Sequence, residues 1–405
     1  MDRKVQETTE VSAVSKKSGV GIVFALMAGY SMVYMDKSMV STAIIPISQQ
    51  FNLDSGQTGL IMSFFFLGYS LMQIPGGWLA DKIGAKKVLM LSLAIISFFS
   101  FAFGMVSGLM LFMMIRFFAG VGHGGYPPSV SKAVANNFPQ ERRTFIQSMI
   151  LSTSGIGGIL AFTLGANLIS QSWRLGYIVL GSLFAAAFIL VGIFVPKDLQ
   201  LSKKEQAAKI SFKEVIANRN VLTLFVAMLL LNFLLYGNIS WLPTVLAQKF
   251  SLEITQVGYL LAVNAIFQTI ATMFAGVLLS KLFLGKEKIF ILGATVISAI
   301  FVVVFVLSSN LIVAMVALIL LSMISVSAFT AIFTLPHKIM DGSIIGSAIG
   351  IINTGGTLGG FLAPMILGQL INLGGGSFTI PFGFMALASI LCGLTVLTLK
   401  DRSQE

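Results

Sequence analysis

PKDLQLSKKEQAAKISFKEVIANRN, residues 196–220, is the only long polar stretch in this chain after its N-terminal segment, and what flanks it decides the fold. Before it, apolar runs of about 20 residues, the length that spans a bilayer as a helix, occur at approximately 19–46, 56–80, 88–106, 109–133, 144–169 and 175–195. After it they recur at approximately 220–247, 256–283, 289–308, 311–336, 343–371 and 378–399. Of 405 residues, 56% are hydrophobic and only 10% are charged. Soluble domains carry roughly 25% charged residues, so this chain has too few to cover a surface facing water. The expectation is an all-α membrane protein with twelve transmembrane helices in two six-helix bundles, 19–195 and 220–399, joined by a cytoplasmic linker at 196–219. Segment 1–18 and tail 400–405 complete the cytoplasmic parts.

The orientation follows from the basic residues. On one side lie Arg3, Lys4, Lys16, Lys17, Lys82, Lys86, Lys87, Arg142, Arg143, six residues of the linker, Lys281, Lys286, Lys288, Lys338, Lys400 and Arg402. On the other lie only Arg174 and Lys249. The positive-inside rule places the crowded side, with both termini, in the cytoplasm of a multi-pass protein of the cell membrane. The net charge of +11 is scattered in short clusters between apolar runs, so it does not form the continuous basic face that nucleic acid requires. The single cysteine, Cys392, excludes an internal disulfide or a cysteine metal site. The first apolar run is too long for a cleaved signal peptide and is expected to remain as a helix.

The two sixes match each other at an offset near 202. Tyr34 and Asp36 fall on Tyr236 and Asn238, and STSGIGGILAFTLGANLI from Ser152 is similar to NTGGTLGGFLAPMILGQLI from Asn353 with one gap. Internal repeats of this kind mark transporter folds, whose substrate site lies between the repeats near the middle of the membrane.

GGWLADKIGAKK, residues 76–87, follows the second run. Gly77 is expected to allow close helix approach, Asp81 to cap or pair at a neighbouring helix end, and the basic cluster to hold the loop in the cytoplasm. Its Gly77, Asp81, Lys82, Gly84, Lys86 and Lys87 match G-x-x-x-D-[RK]-x-G-[RK]-[RK], the gating loop of the major facilitator superfamily, which the chain therefore resembles. The second-half counterpart, GVLLSKLFLGKEK from Gly276, is degraded, with Ser280 near the place of the aspartate. Within that superfamily, YMDKSMVSTA from Tyr34, GYSLMQIPGGWLADKIG from Gly68, RFFAGVGHGGYPPSV from Arg116 and Trp241-Leu242-Pro243-Thr244 resemble the anion:cation symporter family of hexuronate, galactonate and phthalate permeases. The resemblance implies the major facilitator fold and symport of a small organic anion with protons. That family reads G-x-G-E-x-P-x-[FY]-P in its fourth helix, where this chain has His123 for the glutamate and Gly125 for the proline.

A charge at the bilayer centre costs about 2.5–3.5 kcal/mol on insertion scales, so Asp36 and Lys37, inside the first run, must face the protein interior. Asp36 is the only acidic residue in any run. Tyr30, Tyr34, Lys37 and Ser41 share one helical face, as do Arg116, Gly120, His123 and Pro127. At about 1.5 Å per residue, Asp36 and Arg116 lie at similar depth. The expectation is an Asp36–Arg116 pair that leaves Lys37 as the free cation for an incoming anion. Leaving aside Lys132 near the inner end of the fourth run, one negative charge faces two positive ones, a balance suited to a monoanion. The second half contributes neutral donors and acceptors, Tyr236, Asn238, Ser240, Trp241, Asn264, Gln268, Asn353, Thr354 and Thr357, which suit hydroxyl groups.

The residues expected to bind substrate are thus Lys37, Tyr34, Tyr69, Arg116, His123, Tyr236, Asn238, Trp241 and Asn353. Asp36 and His123 are expected to carry protons, with His123 neutral in the empty site. Plainer roles remain open at this point: a structural Asp36–Lys37 pair, a packed core histidine, tyrosines that only fill space. The expected function is proton-coupled import of an organic anion, a sugar acid or another small carboxylate, by alternating access. An exporter or antiporter of a drug or metabolite would use the same fold, and a receptor without turnover is a third class. No nucleophile, base and metal-ligand set points to an enzyme, a metal or a cofactor, and the glycines of GGTLGG follow no strand, so they are helix contacts and not a phosphate loop. The expected partners are the anion, protons and the lipid bilayer, with the chain acting as a monomer and no nucleic acid involved.

Overall fold

The computed structural model describes residues 16–197, 212–340 and 345–400. The first part of the N-terminal segment, most of the linker and residues 401–405 lie outside the described residues. The side chains of Lys16, Lys17 and Ser280 lie outside them as well. Twelve helices among the described residues are long and apolar enough to cross a membrane. They are α1 Lys16–Phe51, α2 Ser55–Ile83, α3 Ala85–Met105, α4 Leu109–Asn137, α5 Gln140–Gln171, α6 Trp173–Phe194, α7 Arg219–Lys249, α8 Ile254–Leu282, α9 Glu287–Leu307, α10 Leu311–Thr334, α11 Ile345–Leu373 and α12 Thr379–Leu397. Several run past the apolar limits read from the sequence. In α1 the helix passes Pro46 to reach Phe51, and α5 continues through a π turn at Ala161–Gly165.

The helix ends are encoded locally. Asp54 opens α2 with a capping box, accepting from Gln57 N at 2.9 Å while its own N–H donates to Gln57 Oε1 at 3.1 Å. Asn218 and Asn310 cap α7 and α10 through their side-chain oxygens. Gly84 (φ 97°) and Gly108 (φ 95°) turn the chain between α2, α3 and α4 in a conformation that side chains resist.

The packing repeats itself between the halves. In the first bundle α2 packs on α4, α1 on α5 and α6, and α3 on α4 and α6; in the second, α8 packs on α10, α7 on α11 and α12, and α9 on α10 and α12. Polar contacts repeat too. Lys86 on α3 donates to Gly192 O of α6 at 2.7 Å, and Lys288 on α9 donates to Leu399 O beyond α12 at 2.7 Å. The two basic residues on the far side from the termini also have parallel partners. Arg174 donates to Gly104 O and Val106 O at the end of α3, and Lys249 to Phe305 O and Val306 O at the end of α9. A cation at a helix C-terminus satisfies orphan carbonyls and complements the dipole.

Between the bundles, α2 packs on α11, α5 on α8, and α1 on α7. The α2–α11 contact is tightest away from the termini. There Ser55 N–H donates to Asn372 Oδ1 at 3.1 Å and Asn372 Nδ2 donates to Asp54 Oδ1 at 2.8 Å. That bond holds the Asp54 carboxyl below the usual carboxylate range, with its capping bond from Gln57 N as a smaller contribution. Deeper along the same seam, a Cβ placed on Gly59 would stand 3.0 Å from Pro364 C, and one on Gly360 2.9 Å from the Phe66 ring. On the terminal side no such close approach is found among the described residues: Leu71, Ile74 and Trp78 of α2 are exposed, and a Cβ on Gly350 of α11 would meet nothing within 4 Å. The molecule is therefore sealed on the side away from its termini, the outer side under the charge asymmetry.

Candidate functional site

Within the first bundle, α2 and α4 are drawn together along glycines. A Cβ on Gly120 would lie 2.9 Å from Tyr69 N, and one on Gly76 2.7 Å from Gly125 Cα. Small residues that admit a neighbouring backbone are the means by which helices associate in lipid. Gly125, in the place of the family's proline, is thus the partner of Gly76. It is Gly76 and not Gly77 that makes the close approach, since a Cβ on Gly77 would meet only Pro128 Cβ at 3.7 Å. This zipper turns the charged face of α4 toward α1.

Asp36 and Arg116 meet as the shared depth predicts. Arg116 Nη1 donates to both carboxylate oxygens, at 3.0 and 3.3 Å, with the two side chains 2% and 1% exposed. The guanidinium lies over the Phe65 ring at 4.4 Å, and its Nε has no partner among the described residues. His123, fully buried, adds a contact that depth alone does not reveal: its Nε2 is 2.9 Å from Asp36 Oδ2. The approach is close but poorly aligned with the ring N–H direction, so it is an electrostatic contact and not a well-formed hydrogen bond. Edge-on packing against Phe65 and Phe184 fixes the imidazole plane. One carboxylate therefore has a guanidinium and an imidazole against it in a site closed to water.

Lys37, the neighbour of Asp36 in sequence, points elsewhere. Its Nζ lies 4.3 Å from the Tyr69 ring centroid and 4.9 Å from that of Tyr34, with no carboxylate in ion-pair range among the described residues. Ring faces hold an ammonium by about 0.5–2 kcal/mol, which orients it without neutralising it. Tyr69 Oη accepts from Gln73 Nε2 at 3.3 Å, and Tyr34 packs on Tyr30 at 5.4 Å. Half-buried Tyr236 of α7 reaches across from the second bundle, packing on Phe66 in a tilted arrangement at 4.5 Å. The first bundle thus brings Tyr34, Asp36, Lys37, Tyr69, Arg116 and His123 together, and Tyr236 joins them at the seam.

The remaining second-half residues divide. Asn238 is buried with its Oδ1 unpartnered, as is Asn264 Oδ1. Asn353 is half-buried and its amide has no partner among the described residues. Trp241 is packed away in the sealed half, 2% exposed, donating from Nε1 to Pro364 O at 3.3 Å.

The expected loop is a tight turn at Gly84 between two helix ends: in the last turn of α2 Asp81 pairs with Lys132 of α4 and Lys82 lies over the Trp78 ring at 4.7 Å, and in the first turn of α3 Lys86 ties to α6 as described and Lys87 is exposed. The second half replaces this arrangement with a pair between Lys338, in the short helical turn after α10, and Glu287 at the start of α9. Among the described residues no group of three or more His, Cys, Asp or Glu side chains could hold a metal ion.

Sequence reasoning missed Phe65, which carries both Arg116 and His123, and the Asp54–Asn372 seam. The first left no signal in an apolar run. The second was half visible in the spacing of Asp54 and Gln57.

Comparison with known proteins gives a consistent picture. The Major Facilitator Superfamily profile matches residues 26–364. The chain is 25% identical to a probable sulfoacetate transporter of Cupriavidus necator over 93% of this chain and 94% of the relative. It is 23% identical to a hexuronate transporter of Bacillus subtilis (91% and 92% covered) and 24% identical to a probable galactarate/D-glucarate transporter of the same organism (99% and 98% covered). Among solved structures, a bacterial homologue of the human lysosomal transporter Spinster, in an inward-facing and occupied conformation, superposes with a TM-score of 0.78 at 16% identity, covering 95% of both chains. With twelve helices in two matched bundles and a profile that runs from the first helix to the eleventh, this chain belongs to the Major Facilitator Superfamily of membrane transporters, and within it resembles the anion:cation symporters.

Proposed function

We propose that the protein is a secondary active transporter that imports a small organic anion, a sugar acid by preference, together with protons, working by alternating access. The observation that carries this reading is the placement of Lys37. Its ammonium sits between two tyrosine rings with no carboxylate of its own, while the one carboxylate at that depth, Asp36, is already held by Arg116. The site has a net charge of one positive unit when His123 is neutral, and a monoanion restores the balance. Relatives named for sulfoacetate, hexuronate and galactarate or glucarate transport support an organic anion as the cargo. The unpartnered oxygens of Asn238 and Asn264 and the free amide of Asn353 suit the hydroxyls of a sugar acid.

In this reading Asp36 is the proton carrier. Its protonation releases Arg116, loosens α1 from α4 and favours reorientation, while His123 can accept a second proton when the substrate carboxylate arrives. Alternating access follows from opening the α2–α11 and α5–α8 seams and closing the terminal side. The test is uptake into proteoliposomes of radiolabelled hexuronate, galactarate, D-glucarate and sulfoacetate with an imposed pH gradient. Symport predicts accumulation under an inward proton gradient and leakage of the stored anion when an uncoupler collapses it. Accumulation under an outward proton gradient instead would identify an antiporter and overturn the reading.

A further inference from the structure

Behind the Asp36–Arg116 pair, away from the tyrosines that hold Lys37, a small void lies between α3, α4 and α6, bordered by Ser100, Phe103, Arg116 and Tyr177 with Asp36 at its edge. Two residues on its wall carry buried polar atoms without a partner among the described residues, Arg116 at Nε and Tyr177 at Oη. Tyr177 is 1% exposed, and its ring packs on Phe103 at a centroid distance of 4.3 Å, a contact that phenylalanine would make equally well. A buried hydroxyl with no partner is costly, and its retention is explained if the partner exists in another state of the transport cycle.

We propose that Tyr177 is a positioning residue for Arg116: when Asp36 takes up a proton, the guanidinium turns toward the void and its Nε–H donates to the Tyr177 hydroxyl oxygen. This rests on Asp36 being the proton carrier. The void is too narrow to admit a water molecule, so a protein group must satisfy the two unpartnered atoms on its wall, and the phenolic oxygen is a buried acceptor there without a partner among the described residues. The titratable and charged groups around the pair are Tyr30, Tyr34 and Lys37 of α1, Tyr69 of α2, His123 of α4 and Tyr177 of α6; α3 contributes none. Lys37 lies between the tyrosine rings and as an ammonium accepts no hydrogen bond, and His123 is already against Asp36 and held by Phe65 and Phe184, so Tyr177 is the group able to receive Arg116 without displacing the anion. Arg116 is thereby kept from competing with Lys37 for the substrate carboxylate while the proton is aboard.

The test needs no substrate. Purified protein is titrated with acid and the carbonyl stretch of protonated carboxyl is followed by infrared difference spectroscopy, with Asp36→Asn identifying the band. Tyr177→Phe removes one oxygen that forms no bond in this state, so its melting temperature should equal or exceed that of the wild type. With no acceptor for the released guanidinium, protonation of Asp36 becomes less favourable, and the midpoint of the band should move to lower pH by about one unit, a tenfold change. A midpoint that stays in place or moves to higher pH overturns the positioning role and reduces Tyr177 to packing. If the wild type shows no band that depends on Asp36, the proton-carrier reading itself falls, and the role of Tyr177 falls with it.

Discussion

Replacing Asp36 by asparagine leaves Arg116 charged, 2% exposed and without a counter-ion, next to a second cation at Lys37. Breaking a buried pair by removing one partner costs about 3–5 kcal/mol, because the other charge is then stranded. The asparagine keeps one oxygen near Arg116 Nη1, which bonds to both carboxylate oxygens at 3.0 and 3.3 Å, so the lower end of that range, about 3 kcal/mol, is expected. Arg116→Gln strands the carboxylate and should cost a similar amount, relieved in part by the histidine at 2.9 Å. The double variant Asp36→Asn/Arg116→Gln buries no unpaired charge at that point and should be far less damaged than the sum, with a coupling energy of about 2–3 kcal/mol. Thermal unfolding of the four proteins in one detergent measures this directly, with each single variant melting roughly 3–4 °C below the wild type. Costs that add to within about 0.5 kcal/mol would refute the pair as an energetic unit. Transport provides a second reading of the same cycle. Asp36→Asn should abolish gradient-driven accumulation yet preserve exchange of anion for anion, and surviving uphill uptake would place proton coupling elsewhere.

Three further outcomes are expected. Lys37→Gln should weaken anion binding by at least tenfold, about 1.4 kcal/mol, while leaving expression intact; unchanged affinity in a direct binding assay removes Lys37 from the site. Anion affinity should rise as pH falls from about 7.5 to about 5.5, the range in which a histidine can charge; His123→Gln should flatten that rise, and superimposable profiles would make His123 structural. Asn372→Ala removes both bonds to the start of α2, roughly 0.5–1 kcal/mol each in an exposed setting, and should shift the conformational balance several-fold toward the open outer side, read as a longer distance between spin labels on the outer ends of α2 and α11. Because Asn372 lowers the Asp54 pKa, the bond's contribution is full above the ordinary carboxylate range and is lost as pH falls through the lowered value. Acid below that lowered value should therefore open the outer side part of the way in the wild type, leaving the Ser55 bond to Asn372 intact, and should have a smaller effect in Asn372→Ala; an acid effect of equal size in both would refute the latch.

The parts of this molecule that sequence makes legible are those where charge is scarce or spacing is periodic. Twelve apolar runs and one polar interruption yield the helices and their division, and a lone aspartate among apolar residues has few partners to choose from, which is why Asp36–Arg116 can be paired by counting helical rise. The approach of His123 to Asp36 depends on rotation about the α4 axis, which the i, i+3, i+4 pattern constrains only to a face. Gly76 and Gly77 are adjacent, so a small error of phase decides which one meets α4, and sequence favoured the wrong one as the contact. Trp241 reads equally as a cavity wall or a seam residue until the sealed side is known. Tyr177 carries no sequence signal, since a tyrosine in an apolar run resembles any packing residue until its hydroxyl is found without a partner.

The outer seam brings backbone against backbone: a Cβ at Gly368 would stand 3.1 Å from Ser55 C, and one at Gly59 3.3 Å from Met365 Cα. A gap of about 0.5–1 Å already forfeits roughly a quarter to a half of such contact attraction, so a half-shut door holds far less firmly than a closed one. Under the proton coupling we propose, this matters more than affinity does. A loose door would let hydronium and sodium trickle past between turnovers and would drain the membrane potential of a resting cell, whether or not any nutrient were present. Substituting alanine at Gly59 would wedge the seam by the width of one methyl group, and the cost would appear first as a dissipated potential in cells expressing the variant and only afterwards as slower uptake.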